Sequence, residues 1–165
     1  MIVGVYALPL RNRFRGIDVR HGLLLRGPAG WAEFSPFEEY TRPETDAWRA
    51  AALEAAELGF PAPVRDMVPV NVTVPAVDAA TAHRIVTGSG CTTAKVKVAE
   101  PGQPAAADLA RVEAVRDALG PSGAIRVDAN GAWSPEEALG RLRELARFGL
   151  EYAEQPCASV EDLAR

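Results

Sequence analysis

The chain has 165 residues, 48% apolar and 24% charged, with a formal net charge of −4. That acidic balance argues against nucleic acid or an anionic membrane as the main partner. No apolar run reaches the roughly 18 residues of a membrane span, and the opening Met1-Ile2-Val3-Gly4-Val5-Tyr6 does not read as a signal peptide. Two cysteines, Cys91 and Cys157, cannot build a disulfide framework, so a reducing cytoplasm is the expected compartment.

Residues 1–66 and 67–165 read as two regions. The first opens with strand-like segments at Ile2–Ala7, Ile17–Arg26 and Gly30–Phe34, the last two joined by the turn Gly27-Pro28-Ala29-Gly30. Thr45–Leu58 follows, with Trp48, Ala51, Ala52 and Ala55 spaced along one helical face and Gly59, Pro61 and Pro63 as its stop. Strands followed by a helix predict a small α+β unit.

The second region alternates. Val68–Val74, Thr93–Ala99, Ala124–Ala129 and Leu150–Glu154 read as strands. Helices are expected at Val77–Thr87, Ala105–Leu119 and Pro135–Phe148, and one more begins at Val160–Arg165. Strands recurring at this interval predict four βα units and a parallel sheet, open or closed. A closed (β/α)₈ barrel takes about 250 residues, so four units amount to half of one.

Polar residues near the ends of these strands carry the chemistry. In Thr93-Ala94-Lys95-Val96-Lys97 alternation puts Lys95 and Lys97 on one face and Val96 on the other. Taken alone, such a strand reads as an edge with one solvated face. The next strand puts Arg126, Asp128 and Asn130 on a shared face, although Asp128-Ala129-Asn130-Gly131 alone would be an ordinary turn. The fourth ends at Glu154, just before Gln155-Pro156. A lysine pair, an aspartate and a glutamate thus fall near the C-terminal strand ends, where α/β folds keep their active sites. Converging carboxylates call for a cation, and oxygen donors without His or Cys suit Mg²⁺ better than Zn²⁺. A lysine beside a metal and a second lysine can have its pKa lowered, which suits proton abstraction.

Lys95-Val96-Lys97, Val127-Asp128-Ala129-Asn130 and Tyr152-Ala153-Glu154-Gln155-Pro156, in that order and spacing, resemble the muconate-lactonizing branch of the enolase superfamily. Within it, Arg13-Phe14-Arg15-Gly16, Val68–Ala76 and Ala94–Glu100 are similar to actinobacterial-type o-succinylbenzoate synthases. The resemblance implies an α/β protein, with an N-terminal α+β capping domain (1–66) followed by the first four βα units of a (β/α)₈-type barrel (67–165). It also implies a Mg²⁺-dependent lyase of menaquinone biosynthesis, with Mn²⁺ as a possible substitute, acting on a small-molecule carboxylate. By the family pattern Asp128 and Glu154 are two of three metal ligands, Lys97 is the catalytic acid/base and Lys95 its electrostatic neighbour. Arg126, Asn130, Arg13 and Arg15 are candidate substrate contacts. The pattern expects a third acidic ligand on a fifth strand and a further lysine on a sixth, so residues 1–165 alone are expected to be inactive.

Two rival readings stand beside this one. An N-acylamino acid racemase or dipeptide epimerase of the same superfamily would use the same ligands. A non-catalytic α/β binding module would carry the same carboxylates as solvated turn residues. Gly88-Ser89-Gly90 precedes a strand instead of opening a helix and so does not read as a phosphate loop. His21 and Cys157 are expected to be structural, and a homo-oligomer is possible.

Overall fold

The computed structural model describes residues 1–164, which separate into two compact units, Met1–Met67 and a second that begins at Val68. In the first, β1 (Ile2–Phe14), β2 (Ile17–Gly27) and β3 (Gly30–Phe34) form an antiparallel sheet in that order. The turn closes on the Gly27–Gly30 pair. Helix α1 (Arg42–Glu57) lies on this sheet and buries Ala52 and Ala56 against Leu25, with Ala32 and Phe34 packed around them. Gly27 makes that approach possible: a Cβ there would sit 2.3 Å from the Ala56 carbonyl oxygen. The helix begins three residues earlier than its apolar spacing predicts. The Thr41 amide and hydroxyl both donate to Glu44, at 2.8 and 2.7 Å, and Pro43 fits the first turn.

The second unit is a parallel sheet, ordered β4 (Val72–Val74), β5 (Thr93–Lys97), β6 (Ala124–Asp128) and β7 (Leu150–Glu154). Between them run α2 (Ala79–Ser89), α3 (Ala105–Leu119) and α4 (Pro135–Leu145), and α5 (Val160–Leu163) follows β7. One face of the sheet is apolar: Val74, Val96, Val127 and Ala153 lie side by side in register. Val74, Val96 and Val127 are fully buried, in one core with Ala82 and Val86 of α2, Val112 and Val115 of α3 and Leu145 of α4. Each large aliphatic side chain buried this way contributes about 1.5–3 kcal/mol.

Several elements differ from their sequence-based limits, and β1 runs on to Phe14 where its apolar segment predicts an end at Ala7. The first strand of the second unit is three residues long, not the seven of Val68–Val74, because Pro69 offers no N–H to a ladder; Val68 and Val70 are exposed. The α4 segment tightens to a 3₁₀ turn over Ala146–Phe148 and stops at Gly149, whose φ is +66°. Arg165, the last residue of the expected terminal helix, lies outside the described residues. Among the described residues no helix is long and apolar enough to cross a membrane.

Candidate active site

The face of the parallel sheet opposite the apolar core carries two polar rows, set by strand register. Thr73, Lys95, Arg126 and Tyr152 form the first. One step toward the C-terminal strand ends, Lys97, Asp128 and Glu154 form the second. Lys95 and Lys97 therefore stand on adjacent rungs of one strand, and each reaches across to a carboxylate.

The contacts are close. Lys95 Nζ donates to both oxygens of Glu154 at 3.2 and 3.1 Å and lies 3.3 Å from Asp128 Oδ2. Lys97 Nζ donates to the same Asp128 oxygen at 2.5 Å and to Asn130 Oδ1 at 2.7 Å. The other Asp128 oxygen accepts the Asn130 amide at 3.0 Å. Asp128 is 1% exposed and carries no orphaned oxygen. Burial pushes its carboxyl pKa up, but the Lys97 hydrogen bond, the Asn130 amide and the lysine charges outweigh that and hold it below the ordinary value. For Lys95 burial pulls downward, but the hydrogen bonds it donates to Glu154 and Asp128 and their negative charges raise it above the ordinary lysine value. The cluster is charge-balanced: two ammoniums face two carboxylates, and Lys95 is shared by both carboxylates.

The chain leaves the sheet sharply at this end. Ala99, Asn130 and Gln155, just past the ends of β5, β6 and β7, all have positive φ, at 59°, 50° and 41°. Such conformations cost non-glycine residues about 1–3 kcal/mol and concentrate where a site needs a fixed backbone. Gly131 extends the turn, its amide donating to the Gln155 carbonyl at 2.7 Å.

Arg126 shares the face but not the cluster. Its guanidinium donates to Glu151 at 2.6 Å and Asn71 at 3.2 Å and lies over the Tyr152 ring. Arg13 and Arg15 belong to the first unit. Arg13 donates to the Gly16 carbonyl, and Arg15 to Glu39 and the Tyr40 hydroxyl, with its guanidinium over Phe37. His21 is exposed near Glu38, Cys157 is buried in the core, and Gly90 ends α2 in a left-handed cap.

Sequence reasoning missed a buried pair on α3. Asp108, Arg111, Val112 and Val115 follow the i, i+3, i+4, i+7 spacing of a buried stripe, and all four are buried. Two charges at core spacing in an alanine-rich helix were the available signal.

The donor set fits a hard divalent cation. Asp128 and Glu154 offer carboxylate oxygens to a positive charge already. Among the described residues no group of three His, Cys, Asp or Glu side chains converges. One or two carboxylates suffice for Mg²⁺, which keeps several of its waters.

The chain has counterparts among known proteins. Residues 5–56 match the enolase N-terminal domain-like family model, and residues 77–165 the enolase C-terminal domain-like model. The chain is 66% identical over 159 residues to an o-succinylbenzoate synthase of Thermobifida fusca, aligning 96% of this chain with 50% of that protein. It is 54% identical over 162 residues to one from Mycolicibacterium smegmatis, again over 97% of this chain and 50% of that protein. The chain thus spans about half the length of these curated relatives. A dipeptide epimerase from Enterococcus faecalis, solved with Mg and the dipeptide L-Leu-L-Tyr, superposes with a TM-score of 0.72 at 20% identity, over 97% of this chain and 62% of that one. At that identity the likeness is one of fold.

Proposed function

We propose, from the premise that this chain belongs to the enolase superfamily, that it carries part of the catalytic face of a Mg²⁺-dependent o-succinylbenzoate synthase. The reaction is the dehydration of 2-succinyl-6-hydroxy-2,4-cyclohexadiene-1-carboxylate to 2-succinylbenzoate. The observation that carries this reading is the sharing of the Lys95 ammonium by Asp128 and Glu154, with Lys97 one rung above.

In this reading Asp128 and Glu154 hold the metal, Mg²⁺ with Mn²⁺ as a substitute. When bound, the ion supplies electrostatic stabilisation to the substrate carboxylate as negative charge develops on it. Lys97 takes the proton from the carbon α to that carboxylate, and the proton leaves with the hydroxyl as water. Its Nζ is aimed by two acceptors, Asp128 Oδ2 and Asn130 Oδ1. Lys95 keeps a positive charge beside the reacting carboxylate, and Asn130 Oδ1 orients the Lys97 amine. Arg126 stiffens the row beneath through Glu151 and Asn71. Capping-domain and half-barrel roles for the two units, and a cytoplasmic location, belong to the same proposal.

The test assays the complete polypeptide that carries this chain, with Mg²⁺, with Mn²⁺ and after chelation. Dehydration that needs the metal, and is faster than epimerisation of dipeptides or racemisation of N-acylamino acids, is the expected result. Metal-independent turnover, or none of this substrate, overturns the reading.

A further inference from the structure

We propose that Arg111 is a positioning residue for Lys97, acting through the Lys97 backbone; its catalytic consequence rests on the function proposed above. Beyond Val74 the β4 chain turns away at Pro75, and the Val77 amide folds back onto the Pro75 carbonyl at 2.8 Å. The Lys97 carbonyl, on that side of β5, accepts from Arg111 Nη1 at 3.0 Å. The amide of the same peptide group, that of Val98, donates to the Asp128 carbonyl on the opposite side at 3.1 Å. The peptide that bears Lys97 is therefore gripped at both ends, by a strand on one side and a guanidinium on the other.

Arg111 is itself immobilised. Its guanidinium is 1% exposed and also donates to the Val77 carbonyl at 2.6 Å, to Asp108 at 2.7 Å and to Gln103 at 2.5 Å. Asp108 takes the Ala99 amide on its other oxygen at 2.9 Å, which holds Ala99 in its left-handed conformation. The pair thus clamps the exits of β4 and β5 together, and Lys97 is the last residue before the clamped turn. A guanidinium presents five N–H donors in a fixed planar fork and can serve these four acceptors at once, whereas lysine offers three donors from one flexible point.

An internal comparison separates this role from plain stability. Arg116, on the same helix, also spends its guanidinium on backbone carbonyls: Phe148, Gly120, Gly123 and Gly149, near the N-terminal strand ends. It touches nothing in the lysine–carboxylate cluster.

In the complete polypeptide, Arg111→Met is expected to lower kcat by about 100-fold, the scale of a 1 Å misplacement. KM and Mg²⁺ affinity by calorimetry should stay within about threefold, because Asp128 and Glu154 lie on other strands. Arg111→Lys, which keeps the charge opposite Asp108, should fold and lose about tenfold in kcat with KM unchanged. Arg116→Met should lower the thermal midpoint comparably yet leave kcat within about twofold. Either Arg111 variant folding with full kcat, or Arg116→Met losing kcat as severely, overturns the proposal. Hydrogen exchange reads the clamp without any turnover: the Val98 and Ala99 amides should exchange as slowly as the core of β5 and speed up selectively in Arg111→Lys. Fast exchange of both in the parent overturns the clamp, whereas failure of the dehydration assay alone bears only on the proposed function.

Discussion

Lys97 and Asp128 are register partners on adjacent parallel strands, and their side chains meet at 2.5 Å on the face opposite the apolar core. A base candidate and a metal-ligand candidate thus share one hydrogen bond. A cation held by that carboxylate would compete with the amine for the same oxygen, coupling the two.

That coupling makes Lys97→Ala informative in the complete polypeptide. Turnover should fall by at least 10²–10⁴-fold, the usual contribution of a general acid–base group. Mg²⁺ affinity should change little, or rise slightly, because an ammonium competing for Asp128 has been removed. Steady-state kinetics together with metal titration checks both; a variant keeping more than about a tenth of the parent rate removes Lys97 from the mechanism.

The carboxylates are expected to behave in the opposite way. Asp128→Asn and Glu154→Gln should each weaken Mg²⁺ binding by at least about tenfold, since a hard cation prefers ionised oxygen. Asp128→Asn should be the more damaging, because its oxygens also order Lys97 and the Asn130 amide. Equal, unaltered affinities in both variants would place the metal elsewhere.

Stability should vary with pH in a definite direction. Asp128 is held below its ordinary value of 3.8, so its contribution is present above the unfolded pKa and is lost as pH falls through the folded one. Lys95 is raised above 10.5, so its contribution is full below that value and is lost as pH rises through the folded pKa. Between these limits the contribution of these two groups should be flat. Urea midpoints at stepped pH test this: the gap between parent and Asp128→Asn should begin to narrow below about pH 4. A gap that widens in acid contradicts the ion-pair account.

Gly131 sits where the β6 and β7 exits pass each other, with φ at +76° and little room for a Cβ: one would lie 3.0 Å from Ala158 Cα. Gly131→Ala should cost about 1–3 kcal/mol from backbone strain and a displaced neighbour. Thermal unfolding of the variant measures it. Gly88→Ala, where a Cβ meets nothing within 4 Å, is the matched control.

Much of this arrangement was legible without coordinates. Period-2 alternation decides which face each strand residue takes, so Lys95 with Lys97, and Arg126 with Asp128, could be paired from the chain alone. The recurrence of apolar strands between helical patterns likewise determined a parallel sheet in the second unit. What alternation cannot supply is the neighbour. Arg126 lies on the polar face, yet the register beside β7 hands its guanidinium to Glu151 and the chain before β4 hands it Asn71, withdrawing it from the carboxylates. Asp108 and Arg111 read as ordinary helix charges until α3 packs onto the sheet and turns them inward. Only there do they meet carbonyls and amides left unpaired where the strands end. A charged side chain's role depends on the partner that desolvation forces on it, and that partner is chosen by packing between segments far apart in the chain.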